Sequence, residues 1–276
     1  NSVPATAKVV FGKPGIEKTG DYLGDGIFRY ELLLSDLSDV PVSIKDTFDT
    51  GILEVDTNTA GTDREWYHMM IFGGNQYGQS SGRTPVTYTD ETDGITITAN
   101  AVPKQTDGSY YPYYRIYYYL KLKDGVDLEQ LAIANGGEYD VTNTAKWGDH
   151  ESEYKYKVKY DFLDKELLNA GQIGGRNRTA QYKITFNSAK ATLNGGEPMT
   201  MTDVLSKNLS IDYGSINITT DPAGINVPYS ISGGKDDEGQ PDGTTVATYT
   251  VPDSTKVVIT YTAQVRGNGT QKIVNK

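Results

Sequence analysis

Two stretches of this chain repeat each other, and the duplication constrains the fold more than composition does. "FRYELLLSDLSDVPVSIKDTFDTGILEV" at 28–55 lines up with "AQYKITFNSAKATLNGGEPMTMTDVLSKNLSI" at 180–211. Tyr30 falls on Tyr182, Ile44-Lys45-Asp46 on Met201-Thr202-Asp203, and Leu53 on Leu209. Further on, "IYYYLKL" at 116–122 lines up with "ITYTAQV" at 259–265, so Ile116, Tyr118, Leu120 and Leu122 fall on Ile259, Tyr261, Ala263 and Val265. After each comes a glycine-containing turn and a short segment ending in asparagine: Asn143 in "YDVTNTAKW" and Asn275 in "QKIVNK". One unit of about 130 residues, present twice, is the simplest reading. The polar stretch "WGDHES" at 147–152 marks the boundary, which gives expected domains at 1–149 and 150–276.

Each unit reads as short strands of alternating polarity, such as "GITITANAV" at 94–102 and "KVVITYTAQV" at 256–265, separated by turn signals such as Asp93-Gly94 and Asp242-Gly243. Threonine, valine, isoleucine and 21 tyrosines fill the periodic segments, as suits half-buried pleated surfaces. The expectation is an all-β chain made of two tandem immunoglobulin-like β-sandwich domains. Only "GVDLEQLAIAN" at 125–135 reads as helical.

The net charge of −10 leaves no basic patch to neutralise phosphates, so nucleic-acid binding is not expected. There is no cysteine, which excludes disulfides, thiolate metal sites and cysteine nucleophiles. Two distant histidines, His68 and His150, do not suggest a metal site or a catalytic triad, and His68 beside Trp66 reads as part of a packed strand. The acidic loop with Asp236, Asp237, Glu238 and Asp242 reads as a solvated hairpin loop, although its oxygens could ligate calcium. Neither a metal nor a cofactor is expected. No apolar run is long enough to span a membrane, and no signal peptide is visible at "NSVPATAKVV". The abrupt ends suggest a piece of a longer or processed protein.

Chemistry enters through parity. Val42, Ile44 and Asp46 share one face of a strand, as do Met199, Met201 and Asp203. Val141, Asn143 and Ala145 share another, as do Ile273 and Asn275, and Val9, Phe11 and Lys13 share a third. Lysine, aspartate and asparagine buried together are costly unless they pair. They are also reactive, since desolvation lowers the pKa of a lysine and raises that of a carboxylic acid. A neutral amine can attack a carboxamide polarised by a protonated acid, expelling ammonia and leaving an amide between side chains. Each site would react once, so this is self-crosslinking and not enzyme catalysis. The same residues admit a structural reading, with Asp46 capping a turn, Asn143 satisfying a strand end and the lysines solvated at edges.

The order of a lysine on the first strand, "IKDTF" or "MTDVL" mid-domain and "VTNTA" or "IVNK" on the last strand resembles the isopeptide-forming, collagen-adhesin-type domains of Gram-positive surface adhesins and pilins. The phrase "TLNGGEPMTMTDVLSKNLSI" is particularly similar, and the resemblance covers both units. It implies Asn143 and Asn275 as acceptors and Asp46 and Asp203 as catalytic acids. Lys13 is the expected nucleophile in the first unit, with Lys8 and Lys18 as rivals. In the second, the family pattern favours Lys159, whereas ungapped spacing favours Lys165, which precedes Tyr182 as Lys13 precedes Tyr30. Parity turns Lys159 outward unless a bulge intervenes. The implied protein is extracellular and anchored to the cell wall through segments outside this chain. Its implied partners are a host matrix protein, a glycan or neighbouring pilin subunits. A rival class is a carbohydrate- or protein-binding module without a crosslink, using Tyr113, Tyr117 and Tyr119 as outward-facing residues of "YYPYYRIYYYLKL" at 110–122 together with the long 57–110 excursion. An accessory domain of an enzyme is the other.

Overall fold

The computed structural model describes residues 15–75, 80–170 and 179–265, and these are nearly all β. They fall into two compact units, Asn1–Leu128 with Tyr139–Val158 and Glu129–Glu138 with Lys159–Lys276.

The strands of the first part are β1 (Gly15–Gly24), β2 (Ile27–Ser35), β3 (Val42–Phe48), β4 (Leu53–Val55), β5 (Met70–Gly74), β6 (Ser80–Pro85), β7 (Thr87–Glu91), β8 (Gly94–Ala99) and β9 (Tyr113–Leu122). A short helix, α1 (Leu128–Ala134), precedes β10 (Glu138–Trp147) and β11 (His150–Lys159). One sheet runs β1-β2-β9-β5-β6, with β4 also on β9, and a second runs β11-β10-β3-β8-β7. The next strands are β12 (Leu163–Ala170), β13 (Thr179–Phe186), β14 (Met199–Leu205), β15 (Leu209–Ile211), β16 (Asn217–Asp221), β17 (Tyr229–Lys235), β18 (Pro241–Val251) and β19 (Lys256–Val265). They form the order β12-β13-β19-β15, with β16 also on β19, and a separate β14-β18-β17 sheet.

The repeat recurs in strand pairing. Tyr30 stands opposite Tyr118, and Tyr182 opposite Tyr261. Leu53 stands opposite Leu122, and Leu209 opposite Val265. The element order is therefore the same: β12, β13, β14, β18 and β19 occupy the places of β1, β2, β3, β8 and β9. Each unit is sandwich-like because alternation buries one face of each sheet. Tyr30, Tyr114 and Tyr118 are fully buried in the first unit, and Tyr249 and Tyr261 in the second. Such rings supply large apolar area, and each carries a hydroxyl that needs a partner.

One boundary differs from the sequence expectation. The chain from His150 to Val158 continues the first unit's second sheet instead of opening the second unit. Tyr154 and Tyr156 hold it there: the Tyr154 ring lies 5.9 Å from that of Tyr30, and Tyr156 lies 5.0 Å from Tyr22 and 5.6 Å from Phe28.

Candidate functional site

Position on β1 is set by the hairpin to β2. Asp25 and Gly26 take φ of 50° and 76°, the positive pair that a tight two-residue hairpin requires and that Asp-Gly supplies. Counting back from this turn, through an irregularity at Tyr22 and Gly24, sets Lys18 opposite Leu32. Lys18 therefore faces inward, with its side chain at 0% exposure. Lys8 and Lys13 lie outside the described residues.

The facing sheet brings the other groups. On β3 the residues alternate between buried and exposed from Val42 to Asp46, so Asp46 is wholly buried. Gly94, at φ 149°, opens β8 directly against the Asp46 backbone; a Cβ there would lie 2.0 Å from the Asp46 carbonyl oxygen. On β10, Asn143 stands opposite Phe48 and is also wholly buried.

These groups meet at one hydroxyl. Lys18 Nζ donates to Asp46 Oδ1 in a short ion pair and to Tyr118 Oη at 2.6 Å. Tyr118 Oη donates to Asp46 Oδ2 at 2.7 Å and accepts from Asn143 Nδ2 at 3.3 Å. Sharing one oxygen, the amine and the carboxamide nitrogen lie within roughly 6 Å of each other. Asn143 Oδ1 is buried and accepts no hydrogen bond. A carbonyl so placed pays its full desolvation cost in the unreacted state and is open to attack or protonation.

Burial pulls the Lys18 amine down to about 8, against the opposing pull of Asp46. Burial first, and then the Asp46 charge, push the Tyr118 phenol well above its ordinary range. The ammonium also lies 4.9 Å from the Tyr30 ring centroid and 5.3 Å from that of Tyr118, where the ring faces attract a cation. A buried ion pair of this kind is poor evidence for stability, because desolvation offsets its attraction.

The second unit repeats the geometry with Lys165. That residue stands opposite Ile184, the repeat counterpart of Leu32. Lys165 Nζ forms a short ion pair with Asp203 Oδ1, and Tyr261 Oη donates to Asp203 Oδ2 at 2.6 Å. Asp203 is 2% exposed and the Lys165 side chain 18%, and burial lowers the lysine's pKa. Lys159 is placed elsewhere: at the end of β11 its side chain is 64% exposed and pairs with Glu138 at 3.0 Å. The outward parity of β11 decides this, its residues alternating without a break as far as Lys159. Asn275 lies outside the described residues.

The tyrosines expected to face outward do not form an open platform. Tyr119 is 4% exposed, since the chain from 57 to 69 folds back over it. His68 lies there in a turn, not a strand, its ring 5.8 Å from that of Tyr119 and its Nδ1 accepting the Tyr119 amide at 3.1 Å. Tyr117 is half-buried between Tyr67 and Phe72, with ring centroids at 5.5 and 5.6 Å. Burial and then Glu31 push its phenol up to about 12. Tyr113 is also half-buried. Around the acidic loop, Asp236 accepts backbone amides of Glu238 and Gln240, and Asp242 accepts the Thr244 amide. Among the described residues no group of three or more His, Asp or Glu side chains is placed to hold a metal ion.

The sequence reading assigned no role to Tyr118 or Tyr261 beyond the core. The signal was available: both copies keep a tyrosine at that position, on a core-facing strand of the sheet opposite the aspartate's.

No protein-family model matches this chain. No curated protein sequence matches it either.

Proposed function

We propose that this chain is part of a bacterial cell-surface adhesin or pilus subunit of Gram-positive type, made of two tandem immunoglobulin-like domains with a structural and attachment role. In this reading each domain is tied internally by an amide between lysine and asparagine side chains. Lys18 joins Asn143 in the first domain, and Lys165 replaces Lys159 as the amine that joins Asn275 in the second. The supporting observation is the burial of Lys18, Asp46 and Asn143 around one phenol, with the Asn143 carbonyl oxygen left without a partner.

The chemistry follows from the contacts. Lys18 passes a proton to Asp46, which makes a neutral amine and a neutral acid in a site where charge is costly. The amine attacks Asn143 Cγ, charge develops on Oδ1, and ammonia leaves once its nitrogen has gained a proton. The site reacts once, so the protein is not an enzyme. The bond would join β1 of one sheet to β10 of the other. The protein would act outside the cell, anchored through segments beyond this chain. It would bind a host matrix protein or glycan, or neighbouring subunits. A binding module using Tyr113, Tyr117 and Tyr119 is the weaker reading, since Tyr119 is covered.

Intact-protein mass spectrometry tests the proposal. The expected mass is lower than the sequence mass by one ammonia per bond, and digestion should yield a branched peptide containing Lys18 and Asn143. Asn143→Ala or Asp46→Ala should restore one ammonia. A wild-type chain at its full sequence mass would refute the crosslink.

A further inference from the structure

We infer that Tyr118 is the proton relay that carries the lysine's proton to the departing nitrogen. This rests on the crosslinking reading above and assigns the step that the aspartate alone leaves unfilled.

An amide nitrogen leaves as ammonia only after it gains a proton, and the hydroxyl bonded to Asn143 Nδ2 is that of Tyr118, at 3.3 Å. The same hydroxyl touches Asp46 Oδ2 at 2.7 Å and Lys18 Nζ at 2.6 Å. The arrangement is duplicated: in both units one carboxylate oxygen takes the lysine and the other takes the tyrosine. A buried phenol seeking only a partner would be satisfied by the carboxylate. Tyr118 is bonded to all three reacting groups.

The proton count closes. The Lys18 ammonium gives one proton to Asp46, leaving amine and acid. The amine nitrogen bonds to Asn143 Cγ, and the carbonyl π pair moves to Oδ1. Tyr118 gives its hydroxyl proton to Nδ2 and takes the acid proton from Asp46 in the same motion. The C–N bond then breaks, its electron pair leaving with ammonia, while the Oδ1 pair re-forms the carbonyl. The new amide nitrogen returns its surplus proton to Asp46. The products are one amide, one ammonia, a neutral acid and an intact phenol.

The experiment follows bond formation in full-length chain made by cell-free synthesis, by timed mass spectrometry and digestion. Wild type, Tyr118→Phe and a chain with 3,5-difluorotyrosine at 118 are compared, and Tyr114→Phe serves as control because its hydroxyl bonds Pro103 and not the site. Tyr118→Phe should slow the Lys18–Asn143 bond by about 10²-fold or more, the usual scale for a lost proton-transfer group. Tyr114→Phe should not. The fluorinated chain, whose phenol is more acidic but of nearly the same shape, should change the rate several-fold and alter its solvent deuterium isotope effect. A hydroxyl that merely props the site would not respond in this way. Should the phenylalanine chain fail to fold, the fluorinated chain answers the same question. A wild-type rate in both variants, with the ammonia loss intact, overturns the relay and leaves the crosslink standing. Absence of ammonia loss from wild type overturns both.

Discussion

Replacing Asn143 by leucine separates the crosslinked molecule from an uncrosslinked one by the sign of its effect. The side chains are similar in size, and the site is wholly buried, so little cavity or overpacking is introduced. Without a bond, the substitution removes a buried carbonyl oxygen that accepts nothing. Leaving such a group unmatched costs about 1–3 kcal/mol, against about 1 kcal/mol for the lost Nδ2 contact with Tyr118. The variant would then be as stable as wild type or slightly more so. With a bond from Lys18 to Asn143, the substitution opens a loop of about 125 residues, and the chain-entropy estimate for its closure is about 5 kcal/mol. For a unit of about 150 residues that is a fall in Tm of roughly 10–20 °C. Calorimetry on wild type and Asn143→Leu, with mass spectrometry on the same samples, reads the difference. A variant melting at or above the wild-type temperature would refute the crosslink argument.

Other perturbations test separate parts of the structure. Lys165→Met should remove the second unit's ammonia loss, whereas Lys159→Met, at an exposed ion pair, should leave the mass deficit unchanged and alter stability by less than about 0.5 kcal/mol. Gly94→Ala forces a Cβ against the Asp46 carbonyl at a positive φ and should cost on the order of 3 kcal/mol by denaturant titration, with slower bond formation. Crosslinking rate should fall as pH rises through about 8. The reactive amine–acid pair has the same proton count as the ion pair, and Lys18, faced by Asp46, Tyr30 and Tyr118, loses that proton near pH 8; a rate that rises steadily through pH 9 contradicts this. His68 accepts the Tyr119 amide when neutral, and burial lowers its pKa from 6.5. The unfolded chain then holds the extra proton between the two values, so this contribution is full above pH 6.5 and is lost as pH falls through the folded value; His68→Gln should flatten that part of the stability–pH curve.

The duplication was legible because hydrophobic alternation and the two aspartates survive in both copies, and strand pairing reproduces that alignment residue by residue. The nucleophile was harder. Parity with Val9 and Phe11 points to Lys13, which lies outside the described residues, whereas counting back from the tight Asp25-Gly26 hairpin gives Lys18. Lys165 lies further from Tyr182 in sequence, yet its pairing with Ile184 is equivalent. Strand parity argued against Lys159, and parity was the sounder guide because it follows from backbone geometry. Tyr119 was misread as outward because the cover over it comes from the 57–69 segment, which has no periodic signature and no counterpart in the other copy. Tyr118 was placed on the core face, but its hydroxyl was not assigned a partner, although a phenol buried beside a carboxylate invites that question.

The position of β11 has a mechanical meaning. A covalent tie between Lys18 and Asn143 would close a ring that includes β2 to β9, while β11 lies outside it, held by its ladder to β10 and by Tyr154 and Tyr156. Under tension from both ends, the ring would stay shut and β11 would peel first. That ten-residue strand would serve as a reversible shock absorber ahead of an inextensible link, giving a limited, recoverable lengthening where an untied sandwich would unravel in one step.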